Sequence, residues 1–265
     1  RFDIGNDLPH ICFLPTYTAT AWYHKKLSPE LLSRPIDQVV AEAEQFSLNE
    51  YATVLLAGDS ATPQAYDEVT RRYAQLTGLG EQYVRQANLR VSMPRFGKEL
   101  LRTESRTVGR FDSRYTGIDR DASGADTEYD PSGAAIFGPF TATMNQYLRE
   151  DLGLKRPKPY EILTGNVYPW NYNNFTGKYV DATEELRSAM SANPYLKLFV
   201  ACGYNDLATP HFAMRYTLNH LGLDSSLREN ITVKDYEGGH MMYIFEPSLA
   251  ALRQDLIRWL EATID

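Results

Sequence analysis

Asp206 and His240 are the residues whose type and spacing could do chemistry in this chain. Asp206 stands in Gly203-Tyr204-Asn205-Asp206-Leu207-Ala208, directly after the short apolar run Leu196-Lys197-Leu198-Phe199-Val200-Ala201-Cys202, which reads as a buried parallel strand. Thr209-Pro210 follows and reads as an N-cap with a proline in the first helical turn. A second strand, Ile231-Thr232-Val233-Lys234-Asp235-Tyr236, ends in Glu237-Gly238-Gly239-His240, and a long helix begins at about Pro247. An acid after one strand and a histidine after the next have the order of the second and third members of a nucleophile–acid–base triad. In such a triad Asp206 would hold the tautomer of the His240 imidazole. His240 would take a proton as general base and return it as general acid. Gly238-Gly239 permits the sharp turn and close backbone approach such a histidine needs. Asp235 is the nearest alternative acid.

The elements needed to position this pair are those of an α/β-hydrolase, where the nucleophile precedes acid and base on a strand-to-helix elbow. That elbow is missing. No serine before Asp206 lies in Gly-x-Ser-x-Gly. Ser60 sits in Gly58-Asp59-Ser60-Ala61-Thr62, Ser123 in Asp121-Ala122-Ser123-Gly124-Ala125, and Ser132 in Asp130-Pro131-Ser132-Gly133-Ala134. The last two fall in a Gly/Asp-rich stretch with no apolar strand before it. Cys12 and Cys202 lie inside apolar runs, where a buried structural thiol is expected. The chain opens on Arg1 and reads as the C-terminal portion of a longer enzyme whose nucleophile serine lies upstream.

The chain resembles the bacterial serine carboxypeptidases, the peptidase branch of the α/β-hydrolases whose nucleophile sits in Gly-Glu-Ser-Tyr-Gly. The resemblance runs through Gly5-Asn6-Asp7-Leu8-Pro9, Leu14-Pro15-Thr16-Tyr17-Thr18-Ala19-Thr20-Ala21-Trp22-Tyr23-His24, Arg106-Thr107-Val108-Gly109-Arg110-Phe111-Asp112-Ser113-Arg114, Tyr129-Asp130-Pro131-Ser132 and Gly239-His240-Met241-Met242. It implies hydrolysis of the C-terminal peptide bond of a peptide substrate through an acyl-enzyme, with no cofactor and no metal, and points to a periplasmic or secreted enzyme. It also implies that Met241 lines the pocket for the leaving residue. The oxyanion segment and the residues binding the substrate carboxylate would lie, like the serine, in the N-terminal segment of the same enzyme. Two other readings stand beside it: an esterase or acyl-amino hydrolase of the same fold, and a catalytically inactive binding module.

Composition fits a soluble globular piece. The 43% hydrophobic fraction supports a sizeable core, and a net charge of −7 leaves no basic footprint for nucleic acid. No apolar stretch has the length of a membrane span. Two cysteines so far apart make no disulfide framework. Residues 1–20 read as the end of a core strand and a loop, 21–194 as a mostly helical cap, and 195–265 as the C-terminal part of the core. Within the cap, helices are expected from Pro35 to Leu56, from Thr62-Pro63 to Gly78, from Pro94 to about Glu104, from about Phe140 to Glu150 and from Asp181 to Met190. Residues 109–138 read as a long polar loop.

Four further signals have bland readings. Asp119, Asp121, Ser123, Gly124 and Asp130 mimic a calcium loop, but position twelve is Asp and Asp126 takes a normally apolar place, so a polar cap loop is expected. Seven arginines between Arg85 and Arg114 read mostly as helix-face charges paired with Glu99, Glu104 and Asp112. His10, His24, His211 and His220 read as packing or surface residues. Tyr168-Pro169-Trp170-Asn171-Tyr172 reads as core packing rather than a cleft wall.

Overall fold

The computed structural model describes residues 2–158 and 160–264. The fold is mixed α/β and mostly helical. Its helices are α1 (Leu8–Tyr23), α2 (Pro29–Leu32), α3 (Ile36–Phe46), α4 (Ala52–Ala57), α5 (Pro63–Thr77), α6 (Glu81–Gln86), α7 (Met93–Glu99), α8 (Pro131–Gln146), α9 (Thr183–Ala192), α10 (His211–Asn219) and α11 (Glu246–Ile264). A short antiparallel pair, β1 (Thr107–Val108) and β2 (Thr116–Gly117), lies between α7 and α8. Strands β3 (Leu198–Gly203) and β4 (Ile231–Tyr236) pair in parallel, with Leu198 opposite Ile231 and Gly203 opposite Tyr236. No helix among the described residues is long and apolar enough to cross a membrane.

The two strands of the C-terminal part form where the apolar runs place them, with α10 as the crossover that parallel pairing requires. In the helical part, Thr62 caps α5 by accepting from Ala65 N–H, and Gly78 ends it in the left-handed conformation. Helices α3 and α4 are joined by a π-type turn, Ser47–Tyr51, so 36–57 is nearly continuous until Gly58.

Residues 1–20 are not a strand end and loop. Leu8–Tyr23 is a helix started by Pro9, and Leu14, Tyr17, Ala19 and Ala21 have no solvent exposure. A helix covered on every side shows no polar face, so its sequence carries no 3.6-residue alternation. Two of its threonines bond back within the helix, Thr18 Oγ1 donating to Leu14 O and Thr20 Oγ1 to Thr16 O. The expected boundary at residue 20 therefore cuts through α1. That helix packs on α3, α5 and α10, and Tyr17 stacks on Phe96 with ring centroids 4.0 Å apart. One hydrophobic core runs from Leu14 to Val108 and takes in Leu207, the neighbour of Asp206.

Three other local expectations are corrected. Helix α8 begins at Pro131, not near Phe140, because the Asp130 carboxylate accepts from Ser132 N–H and caps it. The 109–138 loop is correspondingly shorter and contains β1's partner strand β2. Tyr168, Trp170 and Tyr172 are exposed rather than packed into the core. Cys12 is buried as expected, but Cys202 is only half-buried, and both thiols are free.

Charged groups follow the expected pattern only in part. Arg102 pairs with Glu99 and Arg114 with Asp112, but Glu104 is taken by Lys26, while Arg85 and Arg90 reach Asp67 and Asp7. The acidic loop is organised around Lys98, whose buried ammonium pairs with Asp119 and donates to Asp121 O at 2.6 Å. His211 is buried, its Nδ1 within 3.2 Å of Thr16 Oγ1, and ties α10 to α1.

Candidate active site

The ends of β3 and β4 lie side by side, and the turns that leave them place Asp206 and His240 together. The close approach is a glycine property. A Cβ on Gly203 would stand 2.2 Å from Gly239 O, and Gly238 has φ +119°, a conformation side chains rarely adopt. The turns are cross-linked by Asn205 N–H donating to Gly238 O at 2.8 Å.

Asp206 is buried, and four donors converge on its carboxylate. Oδ1 accepts from Ala208 N–H (2.7 Å) and Thr209 N–H (2.9 Å); Oδ2 accepts from Thr209 Oγ1 (2.7 Å) and His240 Nδ1 (2.9 Å). Thr209 Oγ1 is also 3.1 Å from His240 Nδ1. With its own proton committed to Asp206, the Thr209 oxygen can only accept from Nδ1–H. Both contacts therefore select the tautomer protonated on Nδ1. The lone pair is left on Nε2, which makes no hydrogen bond among the described residues. The Asp206 hydrogen bond raises the His240 pKa above its ordinary value, against a smaller opposing effect of partial burial.

Thr209 is not the N-cap of α10. That position falls to Pro210, and no side chain caps the helix. The sequence signal was present, since Thr three residues after Asp also fits a side-chain hydrogen bond back to the carboxylate. The capping reading competed with it and was the commoner pattern. Asp235, the alternative acid, is held by Arg215 on the register of Cys202 and does not meet the imidazole.

A cleft of about 450 Å³ opens beside the pair, lined by Val200, Cys202, Pro210, Met214, Asp206 and His240 among others. Its floor is the edge of β3 away from β4. Among the described residues that edge has no partner strand. Met241 does not line this cleft. It faces a small separate hollow with Phe111, Tyr115, Ser132, Ile136 and Ile244. A larger open groove between α3 and α5 carries Glu42, Glu50, Glu68 and Arg72, with Arg72 paired to Glu42, and no histidine or cysteine lines it.

Among the described residues no hydroxyl or thiol is hydrogen-bonded to His240 Nε2. Ser132 is buried, and its hydroxyl donates to Asp130 Oδ1 at 2.5 Å while accepting from Phe111 and Asp112 N–H. Burial pushes the Cys202 thiol up to about 11, which keeps it protonated and a poor nucleophile at neutral pH. What the arrangement offers is an oriented imidazole whose Nε2 lone pair can accept a proton. Compared with known proteins, the chain matches no family model, no curated protein and no solved structure.

Proposed function

We propose that the chain carries the acid and base of a serine-type carboxypeptidase of α/β-hydrolase fold, with the nucleophile on a preceding segment of the same enzyme. The observation that carries this reading is the buried Asp206 carboxylate on His240 Nδ1, with Nε2 free beside the open edge of β3. The resemblance of the segments around Gly109–Arg114 and Gly239–Met242 to bacterial serine carboxypeptidases supports the peptidase assignment. In this mechanism His240 Nε2 takes the proton of the serine as it attacks the last peptide carbonyl. The imidazolium, stabilised by Asp206, then returns the proton to the leaving amine. Water, activated by the same nitrogen, releases the acyl group.

The chain alone has neither nucleophile nor oxyanion donors in this mechanism, so it should not turn over a blocked dipeptide. The polypeptide extended upstream to include a Gly-Glu-Ser-Tyr-Gly elbow should do so, and His240→Ala should abolish that activity with little change in peptide affinity. Turnover by the chain alone that a serine-directed inhibitor abolishes would refute the missing nucleophile. An upstream sequence without an elbow would favour the inactive binding module.

A further inference from the structure

The acid turn and the base turn are joined by a third segment, loop 109–114, which triad chemistry by itself does not require. Toward the acid turn, Leu207 N–H donates to Arg110 O at 3.0 Å and Ser113 N–H to Asn205 O at 3.0 Å. Toward the base turn, His240 N–H donates to Phe111 O at 2.6 Å and Gly239 N–H to Asp112 Oδ2 at 3.1 Å. The Phe111 ring lies 5.5 Å from the imidazole, centroid to centroid. The fit has no slack, since a Cβ on Gly239 would stand 2.0 Å from Phe111 O and 2.5 Å from Asp112 Cα.

Behind the loop is Ser132, at the start of α8. Its Oγ accepts from Phe111 N–H at 3.0 Å and from Asp112 N–H at 3.1 Å. Asp130 takes the hydroxyl proton, leaving both oxygen lone pairs for these amides, and its Oδ1 also accepts from Arg110 N–H at 3.0 Å. The His240 side chain is 42% exposed, so packing within its own turn does not fix the ring. Its backbone is held instead by the loop, which Ser132 and Asp130 grip at Arg110 to Asp112 and Thr20 and His24 grip at Ser113. Hydrogen bonds weaken steeply with lost alignment, and catalytic groups must be held within about 0.5 Å.

We propose that Ser132 is a positioning residue, which holds loop 109–114 so that the loop sets the separation of Asp206 and His240. The proposal rests on the acid–base reading of that pair. It is tested on the chain itself by following the histidine side-chain nitrogens by NMR through a pH titration. The groups facing the imidazole are Asp206, Thr209 and Arg110. Wild type should show a His240 midpoint above 6.5 and a single tautomer protonated on Nδ1. Ser132→Ala should lower the midpoint by about half a pH unit and mix the tautomers. Ser132→Cys, close in volume but with a weak sulfur acceptor, should fall between them and serves if the alanine variant does not fold.

Thr70→Val is the control. It removes a buried hydroxyl that bonds only to Tyr66 O of its own helix, and should lower stability without moving the midpoint. A folded Ser132 variant with the wild-type midpoint and tautomer overturns the proposal and leaves Ser132 a merely structural residue. If Asp206→Asn also leaves the midpoint unchanged, the pair itself is misread. If Asp206→Asn moves it and the Ser132 variants do not, only the positioning role fails.

Discussion

Thr209 carries two hydrogen bonds that a helix cap would not need, one to the acid and one to the base. Under the proposed carboxypeptidase mechanism, removing its hydroxyl while keeping its shape, as in Thr209→Val, should cost the upstream-extended polypeptide on the order of tenfold in kcat, the scale of one net hydrogen bond, and Thr209→Ser should restore it. Under the proposed mechanism Asp206→Asn should be far more severe, on the order of 10⁴-fold by analogy with the triad acid of a serine protease. His240 must be neutral to accept a proton. Because Asp206 raises its pKa, kcat/KM should climb with pH through a midpoint above 6.5. Stability runs the other way. A histidine whose folded pKa is raised contributes stability that is fully present below its unfolded value and lost as pH rises through the folded value. The difference in Tm between wild type and His240→Ala should therefore be largest below pH 6.5 and shrink above the folded pKa, as thermal melts across pH would show.

At the scale of elements, β3 is the exposed point of the fold. Its residues are half-buried, it has β4 on one side only, and an unpaired parallel edge invites pairing with another chain. Sedimentation should show self-association of the isolated chain that an added upstream segment suppresses; a monomer at high concentration, indifferent to that segment, would count against the portion reading. The strands β3 and β4 and the helix α5 were legible because each carries its signal locally: an apolar run closed by glycine, or a threonine cap and a left-handed Gly78. So were Asp206 and His240, each at a strand end. Helix α1 was not, because burial on all sides erases the periodicity that marks a helix. The start of α8 was written in Asp130-Pro131 but masked by the glycine-rich stretch around it. The contact of loop 109–114 with both turns joins residues as far apart in sequence as Phe111 and His240, and no local pattern encodes that.

Across the whole molecule, the large helical core reaches the Asp206 turn through Leu207, beside a second, smaller cluster of Met190, Leu221 and Leu223. Leu207 is packed in the cluster that holds Leu14, Tyr17 and Phe96, and α1 lies against α10. A separable cap would melt independently. Here Tyr17→Ala, which empties a fully buried site stacked on Phe96, should cost about 3–5 kcal/mol and shift the loss of helical signal and of the His240 resonance together. Two transitions, with the His240 signal surviving the first, would show two cooperative units instead.

The Lys98 ammonium in the 119–130 loop is, in effect, a counter-ion that cannot diffuse away. A loop ordered by a bound divalent ion would be at the mercy of chelators and of the ion concentration around the protein. Here the positive charge is tethered by its own side chain and sealed with Asp119, both almost wholly buried. Chelator should leave the melting temperature unchanged. Lys98→Met, which strands a buried carboxylate, should cost about 3–5 kcal/mol in a denaturant titration. The loop thus carries its cations within the chain, Lys98 on Asp119 and Arg102 on the carbonyls of Ala122 and Gly124.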